Sequence, residues 1–205
     1  MVDRLLECDF VADAIVWNNN VGDVFTHDHP KVTVINPSKD IGMHSRWCAG
    51  MLATQPGILS IDDDIHLTSQ HARVLYEAWL AEPEVNHGFW GRNPKCNNTY
   101  AEFIDGVETK VEMLGTGSMV YGRRYATLMW DHVQRHNLTS DTHKNQGEDI
   151  YFSYLVMSAS GKMNRCHAAH GLPNHHNMDA VSLSARPKHG NERTKVMQRC
   201  RNHFI

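Results

Sequence analysis

The sequence predicts an α/β fold in which a mixed sheet is flanked by helices, and three observations predict it. Short apolar runs of strand length alternate with helix-length periodic segments across most of the chain. One such run, residues 58–61, closes on three consecutive aspartates, Asp62, Asp63 and Asp64, and a helix pattern follows at once. Residues 150–159 are apolar on nearly all sides, as a helix buried against a sheet would be. With 205 residues there is room for one core of ordinary size, so the expectation is one domain spanning residues 1–205.

Residues 13–17 read as a first strand, running into Asn18, Asn19 and Asn20 with Gly22 as a turn residue. A second strand covers 32–35 and stops at Pro37. A helix carrying Arg46 fits 43–54, and Pro56-Gly57 breaks the chain before the strand at 58–61. Thr68 and Ser69 suit a helix start, and Ala72, Leu75, Tyr76, Trp79 and Leu80 then recur at helical spacing, which predicts a helix over 69–81. A strand over 86–92 ends in Arg92, and a strand pair or bent strand over 111–121 contains Gly115-Thr116-Gly117. Another helix begins near Tyr125. Glu148 and Asp149 open the apolar helix at the end where carboxylates suit its dipole.

Several function classes are disfavoured by composition. A net charge of −3 without a basic block argues against a general nucleic-acid binder. No apolar run approaches the roughly 20 residues that span a bilayer, and the first residues lack the apolar stretch of a leader. The expected location is therefore cytoplasmic unless an upstream segment supplies an address. Five cysteines, odd in number and scattered, contain no Cys-x-x-Cys pair, so neither a zinc ribbon nor a redox motif is supported. Two sequons, at Asn97 and Asn137, matter only in a secretory compartment. His167, His170, His175 and His176 have no zinc spacing and read as a polar surface loop.

The acidic triplet carries the chemistry. Adjacent carboxylates repel and resist burial, so a strand ending in three of them calls for a cation. At the carboxyl end of a strand in an α/β sheet that cation lies where such folds bind ligands. Hard carboxylate oxygens suit Mn²⁺ or Mg²⁺, ions that complete their shells with water and phosphate oxygens. The triplet is not a calcium-binding EF-hand loop, because counting from Asp62 the glycine position holds Leu67 and the final glutamate position Arg73. A solvated acidic turn, a phosphohydrolase and a nuclease remain alternatives on the triplet alone.

Taken together, residues 15–19, the acidic run at 60–65, Gly88-Phe89-Trp90-Gly91-Arg92, residues 114–121 and Glu148-Asp149-Ile150 carry a resemblance. In order and spacing the chain resembles the family 64 glycosyltransferases, the exostosin-like C-terminal domains, over almost its whole length. The resemblance implies a GT-A fold, a Rossmann-like α/β domain with an Asp-x-Asp metal motif. It implies a retaining, manganese-dependent transfer of N-acetylhexosamine or a related sugar from a UDP-sugar donor to a glycan, glycolipid or glycoprotein acceptor.

Residue by residue, the resemblance assigns Asp64 as the direct metal ligand. Asp62 and Asp63 would face the ribose and donor sugar, with Asp62 also near the metal. Asn18 would lie near the uracil, and Arg46, 16 positions before Asp62, beside the donor. Asp149, with Glu148 before it, would stand at the anomeric carbon and the acceptor, either as nucleophile or, the preferred role, orienting the acceptor. Arg186, His189 and Arg193 match a basic trio, in which Arg186 would bind the diphosphate leaving group. In a secretory relative the compartment would be the ER or Golgi lumen.

The chain departs from the pattern in three places. The resembling sequences carry a strand before the first residue here, so the expected fold lacks a usual first strand and the domain is read as N-terminally truncated. They place a cysteine pair where this chain has Gly147 and Val196, and an asparagine where it has Ile41. The alternative to an active transferase is accordingly a non-catalytic pseudoenzyme that binds a nucleotide sugar or a partner.

Overall fold

The computed structural model describes residues 2–100, 103–104, 107–136, 147–168 and 188–205. Two short parallel strands, β1 (Ala14–Trp17) and β2 (Val32–Ile35), pair in register from Ala14 with Val32 to Trp17 with Ile35. A five-stranded mixed sheet follows, in the spatial order β3 (Gly57–Ile61), β9 (Ser118–Gly122), β4 (His87–Gly88), β10 (Asn164–Cys166), β7 (Thr109–Val111). A small third sheet joins β6 (Phe103–Ile104), β5 (Gly91–Arg92) and β8 (Met113–Leu114). The helices are α1 (Val2–Leu6), α2 (Ser45–Leu52), α3 (Ser69–Ala81), α4 (Arg123–His136), α5 (Glu148–Ser160) and α6 (His189–Phe204). A 3-10 turn, Gly42–His44, leads into α2. A mixed sheet between helices is the GT-A-like α/β arrangement that the sequence predicts.

Strand β9 divides the core, because successive side chains of a strand point to opposite faces. Met119 and Tyr121 join the larger cluster with Trp47 of α2, Met129 of α4 and Phe152 of α5, while Val120 joins Leu67, Leu75, Trp79 and Phe89 under α3. Trp47 stacks on Phe152 with centroids 4.0 Å apart and meets Tyr121 edge-on at 5.7 Å, which locks α2 and α5 to the sheet. Helix α3 begins as expected: the Thr68 hydroxyl accepts from the His71 backbone N–H at 3.2 Å, and the His71 ring meets the Thr68 backbone N–H in return.

Several expectations are refined. The strand foreseen over 86–92 is two strands in different sheets, because β4 pairs with β9 whereas β5 pairs with β8 and β6. The strand pair or bent strand over 111–121 is divided among three strands, β7, β8 and β9. Helices α1 and α6 and strand β10 were not foreseen. His167 does not belong to a surface loop: its Nε2 stands 3.0 Å from Nδ1 of the buried His87, with the rings stacked. His170, His175, His176, the sequon at Asn137 and Arg186 lie outside the described residues. No helix among the described residues is long and apolar enough to cross a membrane.

Candidate active site

Antiparallel pairing of β3 with β9 sets the position of the acidic run. The ladder runs from Gly57 opposite Gly122 to Ile61 opposite Ser118, and one further bond, from the Asp62 N–H to the Gly117 carbonyl at 3.0 Å, closes it. Asp62 therefore stands where the strand ends and the Gly115-Thr116-Gly117 turn begins. Helix α2 brings Arg46 to the same place. Its Nη1 donates to Asp62 Oδ1 at 3.0 Å and to Ser60 Oγ at 3.3 Å, and reaches the Thr116 carbonyl at 3.5 Å. The Arg46 side chain is 14% exposed and that of Asp62 35%, so the pair is shielded on the arginine side and open on the other.

Helix α5 supplies the second carboxylate pair. Glu148 and Asp149 are both buried, and Asp149 takes the Ile150 N–H on Oδ1 at 2.8 Å and the Arg193 guanidinium of α6 on Oδ2. Ser153 fixes this end of the helix, donating to the Asp149 carbonyl at 2.8 Å and accepting the Leu114 N–H at 3.0 Å. Arg193 lies over the Tyr100 ring at 4.7 Å, and Arg92 faces the same ring at 4.8 Å. The Tyr100 N–H donates to Thr194 Oγ1, which ties this loop to α6.

These groups share one electrostatic field. Burial opposes the charge on Arg46, but Asp62, Glu148 and Asp149 together outweigh it and raise its proton affinity. Arg193 is held the same way, against its burial, by Asp149, Tyr100 and Glu148. Glu148 moves in the opposite sense to an ordinary carboxylate: burial first, and the neighbouring Asp149 charge second, push it well above the usual range despite Arg46 and Arg193. Its Oε2 is buried with no hydrogen-bond partner among the described residues. His189, at the start of α6, is lowered by burial and by Arg193 and Arg92, which favours the neutral ring.

Of the residues singled out from sequence, Arg46, Asp62, Glu148, Asp149, His189 and Arg193 thus come together. Asp63 and Asp64 are exposed at the tip of the same run. Asn18 lies elsewhere, in a loop network: its amide donates to Asn36 Oδ1 at 2.8 Å and the Asp23 carbonyl at 2.6 Å. Its neighbour Asn19 spans from that loop to Gly42 and Ser45, at the start of the helix that bears Arg46. Sequence reasoning missed Arg92 and Tyr100. An arginine closing a strand and a loop tyrosine give no signal until the fold sets both against Arg193.

Among the described residues no group of three or more histidine, cysteine or acidic side chains is gathered to hold a metal. The donor set still suits one kind of ion. Asp62 and the two exposed aspartates after it offer hard oxygens open on one side, which fits a cation that brings diphosphate oxygens as its remaining ligands and not a closed protein cage.

Compared with known families, the whole chain, residues 1–205, matches the glycosyl transferase family 64 domain. The chain belongs to glycosyl transferase family 64. Membership carries a glycosyl-transfer function, with a nucleotide-sugar donor and an acceptor as its substrates. No curated protein matches the chain. The register of this family 64 chain also explains a detail of the site. In place of the cysteine pair that the resemblance implies, Gly147 and Val196 are in contact, and no two of the five cysteines form a disulfide.

Proposed function

We propose that this chain acts as one exostosin-like domain that transfers a sugar, with N-acetylhexosamine the first candidate, from a UDP-sugar to a glycan-type acceptor with retention of configuration. The observation that carries the reading is the Arg46–Asp62 pair standing in one field with Glu148, Asp149 and Arg193. A basic group and a carboxylate at the end of the acidic run serve a diphosphate, and a second carboxylate pair serves the sugar it leaves.

In this reading Asp64 and Asp62 hold Mn²⁺ or Mg²⁺, and Asp63 faces the ribose and donor sugar. When bound, that ion neutralises charge on the departing diphosphate. Arg46 fixes one Asp62 oxygen and leaves the other toward the donor, while Asn18 keeps the uracil role that the resemblance gives it, its loop tied through Asn19 to the start of α2. His189 and Arg193 form the basic side of the site, and the diphosphate is the role the resemblance gives Arg186. Asp149 faces the anomeric centre, where a carboxylate stabilises oxocarbenium character. Both of its oxygens are already engaged, by the Ile150 N–H and by Arg193, which supports an orienting role over attack on the sugar. Glu148, its proton affinity raised by burial and by the Asp149 charge, holds its proton more readily than an ordinary carboxyl and adds a second group beside Asp149.

Calorimetric titration of UDP with and without Mn²⁺ tests the reading. Metal-dependent UDP binding that disappears in Asp64→Ala is the expected result. Metal-independent binding, or none, would leave a non-catalytic binding module, and turnover of simple phosphate esters would point to a phosphohydrolase.

A further inference from the structure

We propose that the indole of Trp90 is the platform on which a pyranose ring stacks beside Asp62. The inference rests on the glycosyl-transfer reading and adds to it a residue that recognises the sugar itself. Pyranoses present apolar C–H faces and polar edges, so a sugar site pairs an aromatic surface with a few placed carboxylates and guanidiniums.

Trp90 lies between β4 and β5, where the residues on either side turn inward. Phe89 is fully buried in the core under α3. Gly91 is packed so closely that an added Cβ would stand 2.7 Å from Cys166 Cβ and 2.9 Å from Val111 Cγ1. Trp90, in neither strand, packs instead along the Gly115-Thr116-Gly117 turn. There it is half-buried, and among the described residues it is part of neither hydrophobic cluster, whereas Trp47 and Trp79 are core residues.

Its neighbours are the site. A Cβ built at Gly117 would stand 2.8 Å from Trp90 Cζ3 and 3.3 Å from Asp62 Oδ2, so indole and carboxylate flank the same glycine. The Gly115 N–H donates to the Trp90 carbonyl at 2.9 Å, which fixes the indole's backbone to the turn that Arg46 also reaches. Two residues on, Arg92 enters the cluster around Asp149. A large aromatic surface outside the core, bordered by glycine backbone, a carboxylate and two arginines, has the composition of a sugar-binding wall.

The ring that stacks is either the transferred sugar of the donor or the terminal sugar of the acceptor, and one experiment separates them. Wild type, Trp90→Phe and Trp90→Leu are titrated with UDP, with UDP-N-acetylglucosamine, and, in the presence of UDP and Mn²⁺, with a panel of methyl pyranosides. Leucine at 90 should leave UDP affinity unchanged and weaken either the UDP-sugar or a methyl pyranoside by roughly 2–10-fold, the scale of one aromatic contact, with phenylalanine restoring most of it. Loss for the UDP-sugar assigns the platform to the donor, and loss for a pyranoside assigns it to the acceptor. Unchanged binding of every probe, an equal loss for UDP and UDP-sugar, or failure of the Trp90→Leu chain to fold would each overturn the proposal while the glycosyl-transfer reading stands. A wild-type protein that binds no UDP-sugar would defeat that reading first, and the platform with it.

Discussion

Val196 of α6 lies directly over the α-carbon of Gly147, so that a methyl group built there would stand 2.6 Å from its Cγ1 and 3.0 Å from its Cγ2. The contact joins the residue before the Glu148–Asp149 pair to the helix that carries Arg193. Close packing with no covalent tie therefore sets the spacing between Asp149 and its guanidinium.

Gly147→Ala should overfill this joint and lower stability by about 1–3 kcal/mol. In the background of Val196→Ala most of that cost should vanish, since the clashing methyls are gone. Urea unfolding of the two single variants and the double variant measures the coupling.

Arg193→Met tests the buried ion pair. It removes the partner of a carboxylate that is 9% exposed, and an uncompensated buried charge costs about 3–5 kcal/mol. Adding Asp149→Asn should recover much of that stability but no transferase activity. Denaturant midpoints and turnover, measured on the same preparations, separate the two effects.

Glu148 should make the protein less stable as pH rises from 4.5 toward about 7. Burial and the Asp149 charge raise its folded-state pKa above the ordinary 4.5. The folded protein thus keeps a proton that the unfolded chain releases, and this contribution is complete in acid and lost as pH rises through the raised value. Glu148→Gln cannot ionise, so its stability relative to wild type should grow as pH increases. Thermal melts across a pH series follow the difference.

His87 should produce the opposite slope. Burial lowers its pKa from 6.5 to about 4, with repulsion from His167 and Arg165 adding to the effect, while contacts with Glu82 oppose it. Between those values the unfolded chain binds the extra proton, so stability is full above 6.5 and falls as pH drops toward 4. The span corresponds to about 3 kcal/mol. His167, lowered mainly by burial, acts in the same direction. His87→Asn should flatten the acid limb of stability against pH in denaturant titrations.

The elements legible in the sequence are those whose pattern is local. Strands β1, β2 and β3 are short β-branched or apolar runs with clear stops, and α3 announces itself through Thr68 and a regular apolar stripe. Residues 86–92 misled because apolar Phe89 and Trp90 continue the run, and only the change of partner from β9 to β8 divides it. Helix α6 was hidden because its inward face is a thin stripe of Val196, Met197 and Cys200 diluted by charge, and it also buries Arg193. The candidate site followed the same rule. The Asp62 turn and the Glu148–Asp149 helix start were visible as local chemistry, whereas the Arg92–Tyr100–Arg193 arrangement exists only through tertiary contact.

Helix α2 leaves Arg46 little freedom. Gly50 faces the Tyr121 hydroxyl so closely that an added Cβ would stand 2.5 Å from it and 3.1 Å from Ala126 Cβ. A substitution at this glycine, one helical turn from Arg46, would push the helix away from the sheet and carry the guanidinium off Asp62. The Arg46–Asp62 contact is thereby geared to a joint one turn further along α2, and mutations that touch neither residue can still detune it.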